Sequence, residues 1–248
     1  MGVTVNSGVT VGTGVSLLQL SGSINTTGNQ GRFTTPASTN LALGTSNFTI
    51  EGWFKPTAKT NNNPTLINNG NFGANKWQLN DRNGTNTKFD FAAYSASQMS
   101  STTTPVNGTW YYISVTRNGS TFWMHVNGTQ EATFSNAGSI DGGGSQTIYF
   151  AKDSSQTVTS WNGQMTNIRI VIGTALYGAA NYTPPVSPNA AVANTQVLLN
   201  AYPYQPYKDY SPNNWTIAVT TTTTTTTTSS TTTTTTPTTT SDGTVSVP

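Results

Sequence analysis

From about residue 25 to residue 217 the apolar positions alternate with polar ones in short runs, broken by clusters of Gly, Asn and Pro, and hardly any stretch keeps a 3.6-residue period. The alternation predicts strands at 48–55, 76–80, 89–94, 110–117, 121–126, 147–151, 165–172 and 197–200. Eight or more such strands point to a sandwich or jelly roll. In the first of them Phe48, Ile50 and Phe54 share one face, while Glu51 and Trp53 share the other. In 165–172 the core side takes Ile168, Ile170 and Ile172, which leaves Asn167 and Arg169 on the far side.

Residues 110–134, WYYISVTRNGSTFWMHVNGTQEATF, spell two hairpins, because two Asn-Gly pairs separate runs rich in aromatic and β-branched residues. With Asn118 and Gly119 as a two-residue loop, Arg117 faces Ser120, Val115 faces Phe122, Ile113 faces Met124 and Tyr111 faces Val126, which puts every apolar pair on the core face. Tyr112 then lies beside His125, and Ser114 beside Trp123, on the opposite face. Continuing the same register through Asn127-Gly128 would set Glu131 opposite Met124 in the core. The second hairpin is therefore expected to have a longer turn or a bulge, or to lose its last strand from the sheet.

Two flanking segments differ from this central span of 25–217. Residues 1–24 repeat Gly-Val-Thr-Val at Gly2 and Gly8 and Gly-Val-Ser-Leu at Gly14, and are expected to form a β-rich arm, either lying on the domain or adding strands to neighbouring chains. Residues 218–248 hold nine consecutive Thr from Thr220, then Ser229, Ser230 and six more Thr before Pro237. Such a tract has no large apolar residue to bury and reads as a tail or tether.

Composition narrows the function classes. Charged residues make up 7% of the chain and the formal net charge is +2, so the clustered Lys and Arg that phosphate binding needs are absent and nucleic acid is not an expected partner. No apolar run reaches the length of a membrane span, so no membrane partner is expected. With no Cys and a single His, at position 125, disulfides, thiolate or multi-His metal sites and most His-based triads are excluded. The first residues do not read as a secretory signal, and the eight Asn-x-Ser/Thr triplets are ascribed to composition.

Several segments together resemble the LamG-like, or concanavalin A-like lectin/glucanase, jelly roll. They are Phe48-Thr-Ile-Glu-Gly-Trp-Phe54, Gly108-Thr-Trp-Tyr-Tyr-Ile-Ser-Val-Thr-Arg-Asn-Gly119, Met124-His-Val-Asn-Gly128 and Trp161-Asn-Gly-Gln-Met-Thr-Asn-Ile-Arg-Ile170. The closing Gly173-Thr-Ala-Leu-Tyr177 and Tyr182-Thr-Pro-Pro185 look like the version found in virion proteins of tailed bacteriophages. The resemblance spans about residues 40–200. It implies an all-β, two-sheet antiparallel jelly-roll sandwich, a fold that hosts glycan binders, glycosidases and inert shells alike.

Three kinds of chemistry then have candidates. A glycosidase needs two flanking carboxylates, whereas this chain has two Glu in all, Glu51 and Glu131, in different strands, and lacks the Glu-x-Asp-x-x-Glu strand of the catalytic relatives. A surface ion pair of Glu51 with Arg169 is the plainer reading. Calcium, which many LamG-like domains bind, has weak candidates in Asp141, Asp153 and Asp209, each also explained by turn chemistry. Sugar binding has an aromatic platform in Trp53, Tyr112, Trp123 and His125, with Glu51 and Arg169 as polar partners. The same aromatics are alternatively covered by the N-terminal arm, by loops such as 61–75, or by another subunit.

The expectation is therefore a non-enzymatic structural protein of a virion surface, a capsid decoration or fibre component. Its expected partners are other virion proteins and further copies of itself, and cell-surface glycans are an added partner. A bacterial cell-surface adhesin or fibril subunit is the alternative, and a glycan hydrolase the third reading.

Overall fold

The structure, a computed structural model, describes residues 22–26, 32–58, 64–82, 87–152, 154 and 161–220. Most of the expected arm and tail lies outside the described residues. Among these residues fourteen strands run in chain order: β1 (Ile24–Asn25), β2 (Arg32–Thr34), β3 (Phe48–Ala58), β4 (Thr65–Asn68), β5 (Gln78–Asp81), β6 (Phe89–Ala93), β7 (Ala96–Ser100), β8 (Tyr111–Asn118), β9 (Thr121–Val126), β10 (Thr129–Ser135), β11 (Tyr149–Phe150), β12 (Asn162–Ile172), β13 (Thr195–Leu199) and β14 (Ala218–Thr220). They form two seven-stranded antiparallel sheets. The first has the order β1-β12-β3-β8-β9-β10, with β13 also on β12, and the second has the order β14-β2-β11-β4-β5-β6-β7. Both sheets draw in residues beyond the expected 25–217 span, namely Ile24 in β1 and residues 218–220 in β14. Among the described residues no helix is long and apolar enough to cross a membrane.

The core lies between the sheets and is rich in aromatic rings. From the first sheet come Phe48, Ile50, Phe54, Ile113, Val115, Phe122, Met124, Ile168 and Ile170, the positions that the alternation assigns to the core face. From the second sheet come Leu66, Leu79, Phe89, Phe91 and Phe150. Rings meet across the gap, Phe89 edge-on to Tyr111 at 5.2 Å and Phe91 beside Phe122 at 6.4 Å. Such pairs add about 0.5–1.5 kcal/mol each beyond the area they bury.

The first hairpin closes two residues away from the expected register. Ile113 faces Val126, Val115 faces Met124, Arg117 faces Phe122 and Asn118 faces Thr121. The loop is Gly119-Ser120, with the positive φ of 61° on Gly119, the first loop position, as a type II′ turn requires. Asn118 stays in the strand, and Asn47 Oδ1 accepts the Gly119 N–H at 2.8 Å, which favours this loop over Asn-Gly. A shift of two preserves parity, so both faces keep their residues. Arg117 falls on the core side, where its guanidinium donates to the carbonyls of Gly119, Gly44 and Asn136 and lies 5.0 Å from the Phe122 ring centroid. Burial lowers its pKa.

In the second hairpin Asn127 and Gly128 both have positive φ, 51° and 79°, and make the tight type I′ turn that Asn-Gly favours. The irregularity expected there sits further along the strand. The pairing slips between Gln130, opposite His125, and Ala132, opposite Met124. Glu131 is the bulged residue. Its carboxylate accepts the N–H of Thr103 at 2.8 Å and the Thr103 hydroxyl at 2.5 Å, which keeps it out of the core.

Candidate functional site

On the outer face of the first sheet, β3, β8, β9 and β12 bring together the residues singled out for sugar binding. Glu51 stands opposite Ser114 on one side and Arg169 on the other, Trp53 stands opposite Tyr112, and Ser114 stands opposite His125. Trp123 lies one step along, between Thr116 and Thr133. The expected neighbours Tyr112 with His125 and Ser114 with Trp123 are each displaced by the two-residue register shift. All six residues nevertheless share one face.

That face is closed. Glu51, Trp53, Tyr112 and His125 are fully buried, Arg169 is 8% exposed, and only Trp123 keeps a substantial part of its surface. Among the described residues, the cover is residues 173–190 of the same chain, and most of the N-terminal arm lies outside those residues. This strap contains Pro184, Pro185 and Pro188, which suppress strand pairing, and it crosses the sheet as irregular backbone fastened by side chains. Gly173 N–H donates to Asn47 O at 2.7 Å, and Leu176 N–H donates to Thr49 Oγ1 at 2.9 Å. Tyr182 N–H donates to Gly128 O at 2.9 Å, Trp53 Nε1–H to Pro185 O at 3.1 Å, and Asn167 Nδ2 to Ser187 O at 3.1 Å. Asn167 sits at a β12 bulge with φ of 56°, which turns its amide toward the strap.

Beneath the strap, Glu51 is tied on both oxygens. Oε1 accepts from Arg169 Nε at 2.6 Å and pairs with Nη2 at 2.5 Å, while Oε2 accepts the hydroxyls of Tyr112 at 2.5 Å and Tyr177 at 2.7 Å. Arg169 Nη1 donates to Ala190 O at 2.9 Å. Tyr177 stacks face to face on Tyr182 with ring centroids 3.9 Å apart, and the Tyr182 hydroxyl donates to Ser114 Oγ at 2.8 Å. Burial, reinforced by the Glu51 charge, raises the pKa of Tyr112 and Tyr177 well above the ordinary phenol value, and burial raises that of Tyr182. For Arg169, burial disfavours the charged form, but Glu51 outweighs it and the pKa rises.

His125 is the exception in this network. Its ring lies 5.2 Å from Tyr182, and neither ring nitrogen has a hydrogen-bond partner of ordinary geometry. Burial lowers its pKa, opposed by the backbone at Ala180. The imidazole is kept as a neutral ring against an aromatic lid.

The expected Glu51–Arg169 pair is present, although buried and not at the surface. Tyr177, Tyr182 and Pro185 were not singled out as site residues. The signal for them was chemical: a carboxylate on a face about to be covered needs donors, and phenols in the proline-broken stretch after β12 supply them. Of the metal candidates, Asp141 accepts the N–H groups of Leu43, Gly44 and Gly143 at 2.6, 2.9 and 3.0 Å. Asp209 accepts from Leu198 N, Ser211 N, Ser211 Oγ and Trp215 N. Both act as loop anchors. Asp153 lies outside the described residues. Among those residues, no three His, Cys, Asp or Glu side chains gather as a metal site.

The arrangement of strands and faces agrees with comparison by sequence. The family model of the concanavalin A-like lectin/glucanases superfamily matches residues 27–175. The chain belongs to this superfamily. Compared with curated proteins, the sequence matches none. Among solved structures, the concanavalin A-like sandwich is similar to a putative carbohydrate binding protein from Bacteroides ovatus, at 14% identity and a TM-score of 0.56, covering 76% of this chain and 56% of that one. The chain thus spans little more than half the length of that protein, and the likeness is one of fold. A native heptameric SAP-like pentraxin from Limulus polyphemus aligns at 13% identity and a TM-score of 0.48, over 65% of this chain and 81% of that one. Tailspike protein 2 of bacteriophage CBA120 aligns at 16% identity and a TM-score of 0.47, over 63% and 27%. The concanavalin A-like match ends at residue 175, within the first residues of the strap, so most of the cover lies beyond the matched residues.

Proposed function

We propose that this lectin-like jelly roll is a non-enzymatic structural module of a virion surface, a capsid decoration or fibre component, which works as an assembled set of copies and adds weak, multivalent attachment to cell-surface glycans. The observation that carries the non-enzymatic part is the state of Glu51. A glycosidase carboxylate must meet the scissile bond, whereas this one is buried under residues 173–190 and engaged by Arg169, Tyr112 and Tyr177. The virion part is supported by the phage-like segments Gly173–Tyr177 and Tyr182–Pro185 and by the Gly-Val-Thr-Val repeats and Thr-rich tract that flank the domain.

The test is direct. Antibodies to this chain are expected to label purified phage particles in symmetric arrays, and particles lacking it are expected to lose stability or host attachment. Labelling confined to the bacterial cell envelope overturns the virion reading in favour of an adhesin. Hydrolysis of a glycan by the purified chain, lost in Glu51→Gln, overturns the non-enzymatic reading.

A further inference from the structure

With the Glu51 face sealed, the exposed aromatics have to be sought elsewhere, and one loop stands out. Residues 201–210, AYPYQPYKDY, place four tyrosines and two prolines in ten positions just after β13. Tyr204 is 95% exposed, and no ring stacks on it among the described residues. Its neighbours are ordered around it. Tyr202 and Tyr210 meet edge to face at 5.1 Å, Lys208 Nζ lies 5.0 Å from the Tyr210 ring centroid, and the Tyr210 hydroxyl is 3.2 Å from Gln205 Oε1.

The loop is built to hold this shape. Gln205 N–H donates to Tyr202 O at 2.9 Å, closing a tight turn around Pro203 and Tyr204. Tyr207 turns inward, edge-on to Phe33 at 5.3 Å. Asp209 is buried and accepts four hydrogen bonds, which fixes the base of the loop to β13 and to residues 211–215. A ring presented on a pre-ordered turn gives up little conformational freedom on binding.

We infer that this turn is a carbohydrate-binding site, with Tyr204 as the stacking platform for the C–H face of a hexopyranose and Gln205, Lys208 and the Tyr202 hydroxyl as partners for its hydroxyl groups. The inference rests on the attachment role proposed above and gives it a place. A sugar is favoured over a protein by size. A stable protein interface buries about 800 Å² on each partner, while the other large exposed apolar side chains among the described residues, Phe72, Val106, Val186, Val192 and Val219, are single residues in separate segments. One free ring flanked by an amide and an ammonium suits a single sugar unit, bound weakly at each copy and strengthened by repetition.

The full-length chain, applied to an array of purified capsular and O-antigen polysaccharides, is expected to bind at least one of them. Tyr204→Ala should weaken that binding about tenfold. Tyr204→Phe, which keeps the ring face, should retain it, and so should Phe72→Ala, which removes an exposed ring from another loop. Full binding by Tyr204→Ala overturns the site and leaves glycan attachment standing. Binding of no polysaccharide by the wild-type chain removes the attachment role itself, and the site with it. Loss of self-association in Tyr204→Ala, with glycan binding intact, assigns the loop to a protein contact and likewise overturns the site.

Discussion

Two groups of tyrosines in this chain meet opposite fates. Tyr112 beneath the strap and Tyr177 and Tyr182 within it are packed around one carboxylate, with hydroxyls committed to Glu51 and Ser114. Tyr202, Tyr204 and Tyr210 stand on a surface turn held up by the half-buried Tyr207 and the buried Asp209. The amino acid is the same, but the first group stabilises a closed face and the second offers an open one. The face that looks most like a binding platform in the sequence is thus part of the protein's interior. An aromatic row on a strand says where a ring points, and not whether another part of the chain covers it.

The contrast can be broken at its strongest point by Glu51→Ala, which leaves the Arg169 charge, the buried Tyr112 phenol and the half-buried Tyr177 phenol without their acceptor. Loss of one partner of a buried pair costs about 3–5 kcal/mol, and denaturant unfolding is expected to show a loss of that size. A smaller loss, of about 1–3 kcal/mol, is expected for Gly128→Ala. A Cβ there would lie 1.8 Å from the Tyr182 carbonyl oxygen, at a φ of 79° that favours glycine. The strap must lift for the substitution to fit, and a red shift of tryptophan emission, from Trp53 losing its cover, reports it.

A weaker handle is pH. The folded pKa of His125 lies below the ordinary value of about 6.5, so its contribution is complete above that value and is lost as pH falls through the folded pKa. The rings of Tyr177 and Tyr182 face it, at 6.4 and 5.2 Å. His125→Phe is therefore expected to lose less stability between pH 7 and 5 than the wild type, measured as the change in unfolding midpoint. An equal loss in the two proteins would show that His125 does not carry the effect. At the open site Tyr204→Ala should change stability by no more than about 0.5 kcal/mol, because that ring is 95% exposed. A larger loss would mean that the turn belongs to the folding core after all.

Strand faces were legible because alternation depends only on parity. The core positions of β3, β8, β9 and β12 follow from it, as does the placing of Glu51 and Arg169 on the opposite face. Register was less legible, since Asn118-Gly119 and Gly119-Ser120 are both acceptable loops and the choice is assisted by Asn47, more than seventy residues away in sequence. Short, polar strands such as β4 and β7 escaped the pattern because Thr65–Asn68 and Ala96–Ser100 offer few apolar positions to alternate. The strap was illegible as a cover for another reason. Its bonds run from backbone to distant side chains and have no period, so nothing local in residues 173–190 names Glu51 as their target. The tyrosine turn after β13 has no period either, and its exposure emerges only from what the rest of the fold leaves uncovered.

The strap also sets the order in which this protein can be completed. Tyr177 follows Glu51 by 126 residues, and β14 near the end of the described chain pairs with β2 near its beginning, Val219 opposite Phe33. A chain emerging from the ribosome makes β3 and β8 early, yet holds their outer face, with the Glu51 carboxylate and Trp53, open to solvent until the strap arrives. Contacts this far apart in sequence slow folding and prolong the exposure of sticky surface. A product cut short at residue 175, where the family match ends, would keep most of both sheets and lack the lid, so premature termination would release an aggregation-prone fragment in place of a smaller working domain.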